Sequence, residues 1–122
     1  MNDLLLKQYI GLIECNNEEI SILANTSAFI MQNFQDISWA GFYLFKNNEL
    51  ILGPFQGKIA CTNIPLDKGV CGKAASTQKT VIVEDVHQFA GHIACDSESN
   101  SEIVIPLIKG NQLYGVLDLD ST

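Results

Sequence analysis

The apolar positions of this chain follow two different periods. Over residues 4–14, Leu4, Leu5, Tyr9, Ile10, Leu12 and Ile13 recur at helical spacing and give a broad apolar face. Asn16 and Asn17 interrupt that pattern. Asn17 is placed to cap a second helix running to about Asn33, with Glu18 and Glu19 in the first turn, where the helix dipole favours acids. Ile20, Leu23, Ala24, Phe29, Ile30 and Phe34 supply its buried stripe. From residue 38 onward the period shortens to two. Strands are expected in SWAGFYLF (38–45), ELILG (49–53), QGKIACTNIP (56–65), TVIVED (80–85), SEIVIPLIKG (101–110) and QLYGVLDLD (112–120). Lys46-Asn47-Asn48 and Gly110-Asn111 read as the turns of two hairpins. GVCGKAASTQ (69–78) reads as a short helix entered through glycine, and residues 86–101 as a long loop. Two helices followed by an antiparallel sheet with an inserted helix predict an α+β domain, its pocket covered by loops. At 122 residues the chain has room for one such domain, spanning 1–122.

Composition narrows the function. Apolar residues make up 47 % of the chain, enough to bury a core. No apolar run reaches the roughly 18 residues of a membrane span. The start, MNDLLLKQYIG, lacks the basic region of a secretory signal, so a cytoplasmic location is expected. The net charge is −7 and all seven basic residues are lysines. Such a chain repels nucleic acid and offers no arginine fork for phosphate or carboxylate. The acidic balance suits a ligand with a cationic end, and equally a merely soluble surface.

Chemistry has few places to sit. On the last strand, alternation puts Tyr114, Val116, Asp118 and Asp120 on one face and Leu113, Leu117 and Leu119 on the other, with the two carboxylates roughly 7 Å apart. A solvated sheet face would give the same pattern. Glu102, early in the preceding strand, is placed to converge with them. In the first strand Trp39, Gly41, Tyr43 and Phe45 share a face, either as packing or as an aromatic wall in which Gly41 leaves space for a ligand. The cysteines are Cys15, Cys61, Cys71 and Cys95. In a reducing compartment they do not form a structural disulfide framework. Their spacing to one another and to His87 and His92 fits no metal site, and no metal or cofactor is expected. Cys71, in the apolar run GVCG, reads as buried. Cys95 sits in the polar loop GHIACDSESNS, where a thiol is accessible and can ionise.

These segments are similar to a known family. GPFQGKIAC (53–61), IPLDKGVCG (64–72), DVHQFAGHIACDSESNSEIVIPL (85–107) and GVLDLDS (115–121), together with WAGFYL (39–44), resemble the free methionine-(R)-sulfoxide reductases, which are stand-alone GAF-domain enzymes. The resemblance runs from about residue 4 to the C-terminus, and HIACDxxSNSEIV is its most specific part. It implies a GAF-like fold and thiol-dependent reduction of free L-methionine (R)-S-oxide through a sulfenic acid and an intramolecular disulfide, recycled by thioredoxin. It implies Cys95 as catalytic cysteine, Cys61 as resolving cysteine and Cys71 as an accessory third. Glu102, Asp118 and Asp120 match the substrate-binding acids, and Trp39 and Tyr43 match aromatics that line the pocket. A homodimer is expected on the same ground. Members of the family continue past the last strand into a C-terminal helix, whereas this sequence ends at Thr122. The alternatives are a GAF ligand-binding module or a thiol redox sensor, neither of which turns over substrate.

Overall fold

A computed structural model of the chain describes residues 3–15, 17–86 and 100–122. Helices α1 (Asp3–Ile13) and α2 (Glu19–Asn33) precede strands β1 (Ile37–Lys46), β2 (Glu49–Gln56) and β3 (Asn63–Pro65). Helix α3 (Gly69–Thr77) follows, then β4 (Val81–Val83), β5 (Ser101–Lys109) and β6 (Gln112–Ser121). The six strands form one antiparallel sheet in the order β3-β2-β1-β6-β5-β4. This is the expected α+β architecture.

Both tight hairpins have the backbone that their sequences require. Asn47 and Asn48 lie at φ 54° and 62°, and Gly110 and Asn111 at 58° and 68°. A two-residue loop with both residues left-handed matches the twist of the flanking strands, and asparagine and glycine adopt it at least cost. The sheet is covered on both sides. Helix α2 lies on β1 and β2, and its buried Ser27 donates to the carbonyl of Pro54. Helix α1 packs on α2, where the Tyr9 and Thr26 hydroxyls are 2.8 Å apart. Helix α3 lies on the opposite face, against β5 and β6. Val70, Cys71, Ala74 and Ala75 from α3 close there over Tyr43, Leu50, Val104 and Val116.

Four local expectations change. The cap of α2 is Glu18, not Asn17, and it makes no side-chain capping bond, because the helix begins one residue later than its polar signal suggests. Strand β2 runs on to Gln56 through a register shift opposite Phe42 that accommodates Gly53 and Pro54. A proline without an N–H is tolerated at such a bulge. The third strand shrinks to Asn63–Pro65, so residues 57–62 connect β2 to β3 as loop. Finally, the pairing of β5 with β6 shifts between Leu107/Gly115 and Ile108/Leu113, leaving Tyr114 as an extra residue. The bulge reverses the alternation upstream of Gly115. Leu113, not Tyr114, turns into the core shared with Val116. Tyr114 turns to the α2 side, where its hydroxyl donates to Glu19 at 3.0 Å.

Candidate active site

Three neighbouring strands build the floor of the site. Asp120 pairs with Trp39 on one side and Glu102 on the other, while Asp118 pairs with Gly41 and Val104. Antiparallel partners directly opposite one another share a face. Glu102, Asp118 and Asp120 therefore lie on the same side of the sheet as Trp39 and Tyr43, beneath α3. Asp118 is 5 % exposed and Asp120 9 %, with Glu102 half-buried, so the acids do not form a solvated face.

Crowding these carboxyls controls their protons. Burial pushes the Asp118 carboxyl well above the usual carboxylate range, and the charges of Glu102 and Asp120 push it further. Both effects favour a proton on Asp118 in this dry setting. The Cys71 thiol sits over it, with Sγ 3.3 Å from Asp118 Oδ2 and 3.8 Å from Glu102 Oε2. Burial, and then the Asp118 charge, raise the Cys71 thiol well above its ordinary range and keep it neutral. Among the described residues, Cys71, Glu102 and Asp118 bring three potential metal-ligating atoms within 4.8 Å of one another. The Cys71 thiol joins the two carboxyls as their common hydrogen-bond donor.

The aromatic side of the site differs from its expected form. Trp39 is stacked between Phe55, at 5.2 Å between ring centroids, and Tyr43, at 6.0 Å. A Cβ on Gly41 would lie 2.3 Å from Phe55 Cβ and 2.8 Å from Trp39 Cη2. Gly41 therefore makes room for the indole and Phe55, correcting the expectation that it leaves space for a ligand. Phe55 was not anticipated as part of the wall. It reaches this face only because the Gly53-Pro54 bulge resets the alternation of β2.

The polar tips of the same aromatics hold the loop that follows β2. Trp39 Nε1 donates to the Lys58 carbonyl and the Tyr43 hydroxyl donates to the Cys61 carbonyl, each at 2.9 Å. Desolvation raises the Tyr43 phenol, so it remains a donor throughout the ordinary pH range. Gly57, at φ +134°, lets the backbone pass the indole, since a Cβ there would fall 2.5 Å from Trp39 Cδ1. Cys61 is disulfide-bonded, while Cys15 and Cys71 are free thiols. Cys95, with His87 and His92, lies outside the described residues. The residues bracketing that segment are joined, since Val86 N–H donates to the Asn100 carbonyl at 2.8 Å. Asn100 N–H in turn donates to Ser121 beside Asp120, also at 2.8 Å.

Comparison with known proteins places this arrangement. The GAF domain family pattern matches residues 18–122. The free methionine-R-sulfoxide reductase of Escherichia coli (strain K12) is 52 % identical over 118 residues, spanning 97 % of this chain and 72 % of the relative. The chain belongs to the free methionine-R-sulfoxide reductase family. Its fold superimposes on the reduced form of fRMsr of Staphylococcus aureus with a TM-score of 0.93 at 56 % identity, covering 97 % of this chain and 77 % of that one. It superimposes equally well, at 0.93 and 44 % identity, on the Neisseria meningitidis free methionine-R-sulfoxide reductase in complex with its substrate, covering 96 % and 71 %. Among the described residues no helix is long and apolar enough to cross a membrane.

Proposed function

We propose that this protein reduces free methionine-(R)-sulfoxide to methionine, with Cys95 as the attacking thiolate. Membership of the reductase family supports the reaction class. The observation that carries the site is the carboxyl cluster of Glu102, Asp118 and Asp120, sequestered from solvent on the sheet face that carries Trp39 and Tyr43. A cluster of this kind meets two needs of the substrate at once. Ionised oxygens bind an ammonium group, which a free amino acid carries and a peptide-bound residue lacks. The retained proton is available to the sulfoxide oxygen as the S–O bond weakens. Trp39 lies beside Asp120 and supplies the apolar surface for the methyl group.

In the proposed sequence the Cys95 thiolate attacks the sulfoxide sulfur and the carboxyl cluster protonates the oxygen. Transfer of that oxygen to Cys95 releases methionine and leaves a sulfenic acid. The Cys61 thiol then displaces water from the sulfenic acid and forms a disulfide, which a thioredoxin-type dithiol reduces. Two observations support Cys61 in this role: it is disulfide-bonded while Cys15 and Cys71 are free, and Tyr43 ties its carbonyl to the aromatic wall. Turnover in the cytoplasm as a homodimer completes the reading.

The test is a steady-state assay with thioredoxin, thioredoxin reductase and NADPH. Free methionine-(R)-sulfoxide should turn over, and N-acetylated substrate, lacking the ammonium, should react at least tenfold more slowly. Binding of the free amino acid without NADPH consumption would identify a ligand-binding or redox-sensing module instead.

A further inference from the structure

We propose that Cys71 is a positioning residue: its neutral thiol donates a hydrogen bond to Asp118 Oδ2 and thereby presents Asp118 Oδ1 to the substrate. The inference deepens the functional reading above and rests on it. Three observations meet here. Cys71 Sγ lies 3.3 Å from Asp118 Oδ2, and both residues are buried. Asp118 Oδ1 is buried and has no hydrogen-bond partner. A buried oxygen left in that condition is destabilising unless something arrives to bond it, and this one lies on the sheet face that carries Trp39 and Tyr43. The helix fixes the thiol: Val70, Ala74 and Ala75 of α3 are packed in the same core cluster, and Gly72 approaches the Pro65 carbonyl so closely that a Cβ would lie 2.8 Å from it.

The surroundings argue against a redox role for this cysteine. Among the described residues, the titratable groups that face it are Asp118 and Asp120 from β6, Glu102 from β5 and Tyr43 from β1, all of them acids. A thiolate is the reactive form, and three carboxyls oppose its formation. What the site does provide is a fixed donor of one hydrogen bond. That bond favours the ionised state of Asp118 and opposes the upward push of burial.

The experiment compares Cys71→Ala, which removes the donor, with Cys71→Ser, which keeps one. Cys71→Val is a second donorless variant of near-native volume in case alanine leaves a damaging cavity. Two readouts are taken. In the absence of any substrate, the carboxyl ¹³C titration of Asp118, assigned with Asp118→Asn, should move to higher pH in the donorless variants and return toward wild type in Cys71→Ser. In the sulfoxide assay, kcat/KM should fall about tenfold without the donor, the value of one hydrogen bond to a charged group, and most of the loss should return in Cys71→Ser. An Asp118 titration unaltered by loss of the donor overturns the proposal. So does a Cys71→Ser enzyme as impaired as Cys71→Ala, which would mark sulfur redox chemistry at this position. Should wild type itself fail to reduce the sulfoxide, the functional reading falls while the ¹³C titration still decides whether Cys71 holds Asp118.

Discussion

Asp118→Asn should separate function from stability by moving them in opposite directions. The folded protein raises the Asp118 carboxyl above its ordinary value of 3.8, chiefly by burial. Between that value and the folded one, the native state binds a proton that the unfolded chain has released. Its contribution to stability is therefore full below about pH 4 and is lost as the pH rises through the folded value. Asparagine has no such titration. The amide also preserves the shape, accepts from Cys71 through its oxygen, and donates to Glu102 and Asp120 through its nitrogen. At pH 7.5 the variant should thus be at least as stable as wild type, with the difference shrinking toward pH 4. Each pKa unit of elevation corresponds to about 1.4 kcal/mol. Each kcal/mol moves the melting temperature of a domain this size by roughly 3–6 °C. Activity should go the other way. The amide cannot give a proton to the sulfoxide oxygen as the raised carboxyl can, and the loss should be at least about tenfold in kcat/KM. Thermal melts at pH 4 and 7.5 and a sulfoxide titration on the same preparation measure both. A variant that melts lower at pH 7.5 yet keeps its catalytic efficiency would refute the reasoning, because Asp118 would then be a structural acid only.

Three further outcomes are expected. Cys95→Ser should leave the melting temperature within a few degrees of wild type and abolish NADPH consumption in the coupled assay. Gly41→Ala should destabilise by about 1–3 kcal/mol, read from urea unfolding, because its methyl would lie 2.3 Å from Phe55 Cβ inside a packed stack. Tyr43→Phe removes the donor to the Cys61 carbonyl and should cost about 1 kcal/mol in stability. Rapid-quench mapping of oxidised peptides should show it also slowing disulfide formation at Cys61, relative to the first release of methionine.

What was legible in the sequence was whatever depends on neighbours along the chain. Asp118 and Asp120 share a face because they are two positions apart, and Trp39 and Tyr43 because they are four positions apart. The Asn47-Asn48 and Gly110-Asn111 turns declare their own backbone. Alternation fails as a guide where a register shift intervenes. It puts Tyr114 on the acid face, and the bulge that only the β5–β6 pairing reveals turns it to the other. The bulge on β2 brings Phe55 to the Trp39 face in the same way. The loop over residues 57–62 resembled a strand, since Ile59 and Ala60 are apolar, but two ring hydrogen bonds from β1 hold its backbone instead of a ladder. The contact between Cys71 and Asp118 joins residues 47 apart and follows from packing a helix on a sheet, which no local pattern encodes.

Trp39 is the only tryptophan of the chain. Its indole is stacked on Tyr43 and Phe55, lies across the sheet from Asp120, and is tied by its N–H to Lys58, three residues before a cysteine engaged in a disulfide. An indole emits according to the polarity, hydrogen bonding and nearby sulfur chemistry around it. The fluorescence of the unlabelled protein therefore comes from one place, at the junction of the acid floor and the loop carrying Cys61. Stopped-flow emission can consequently follow ligand entry and the thiol–disulfide cycle in real time, without introducing a probe.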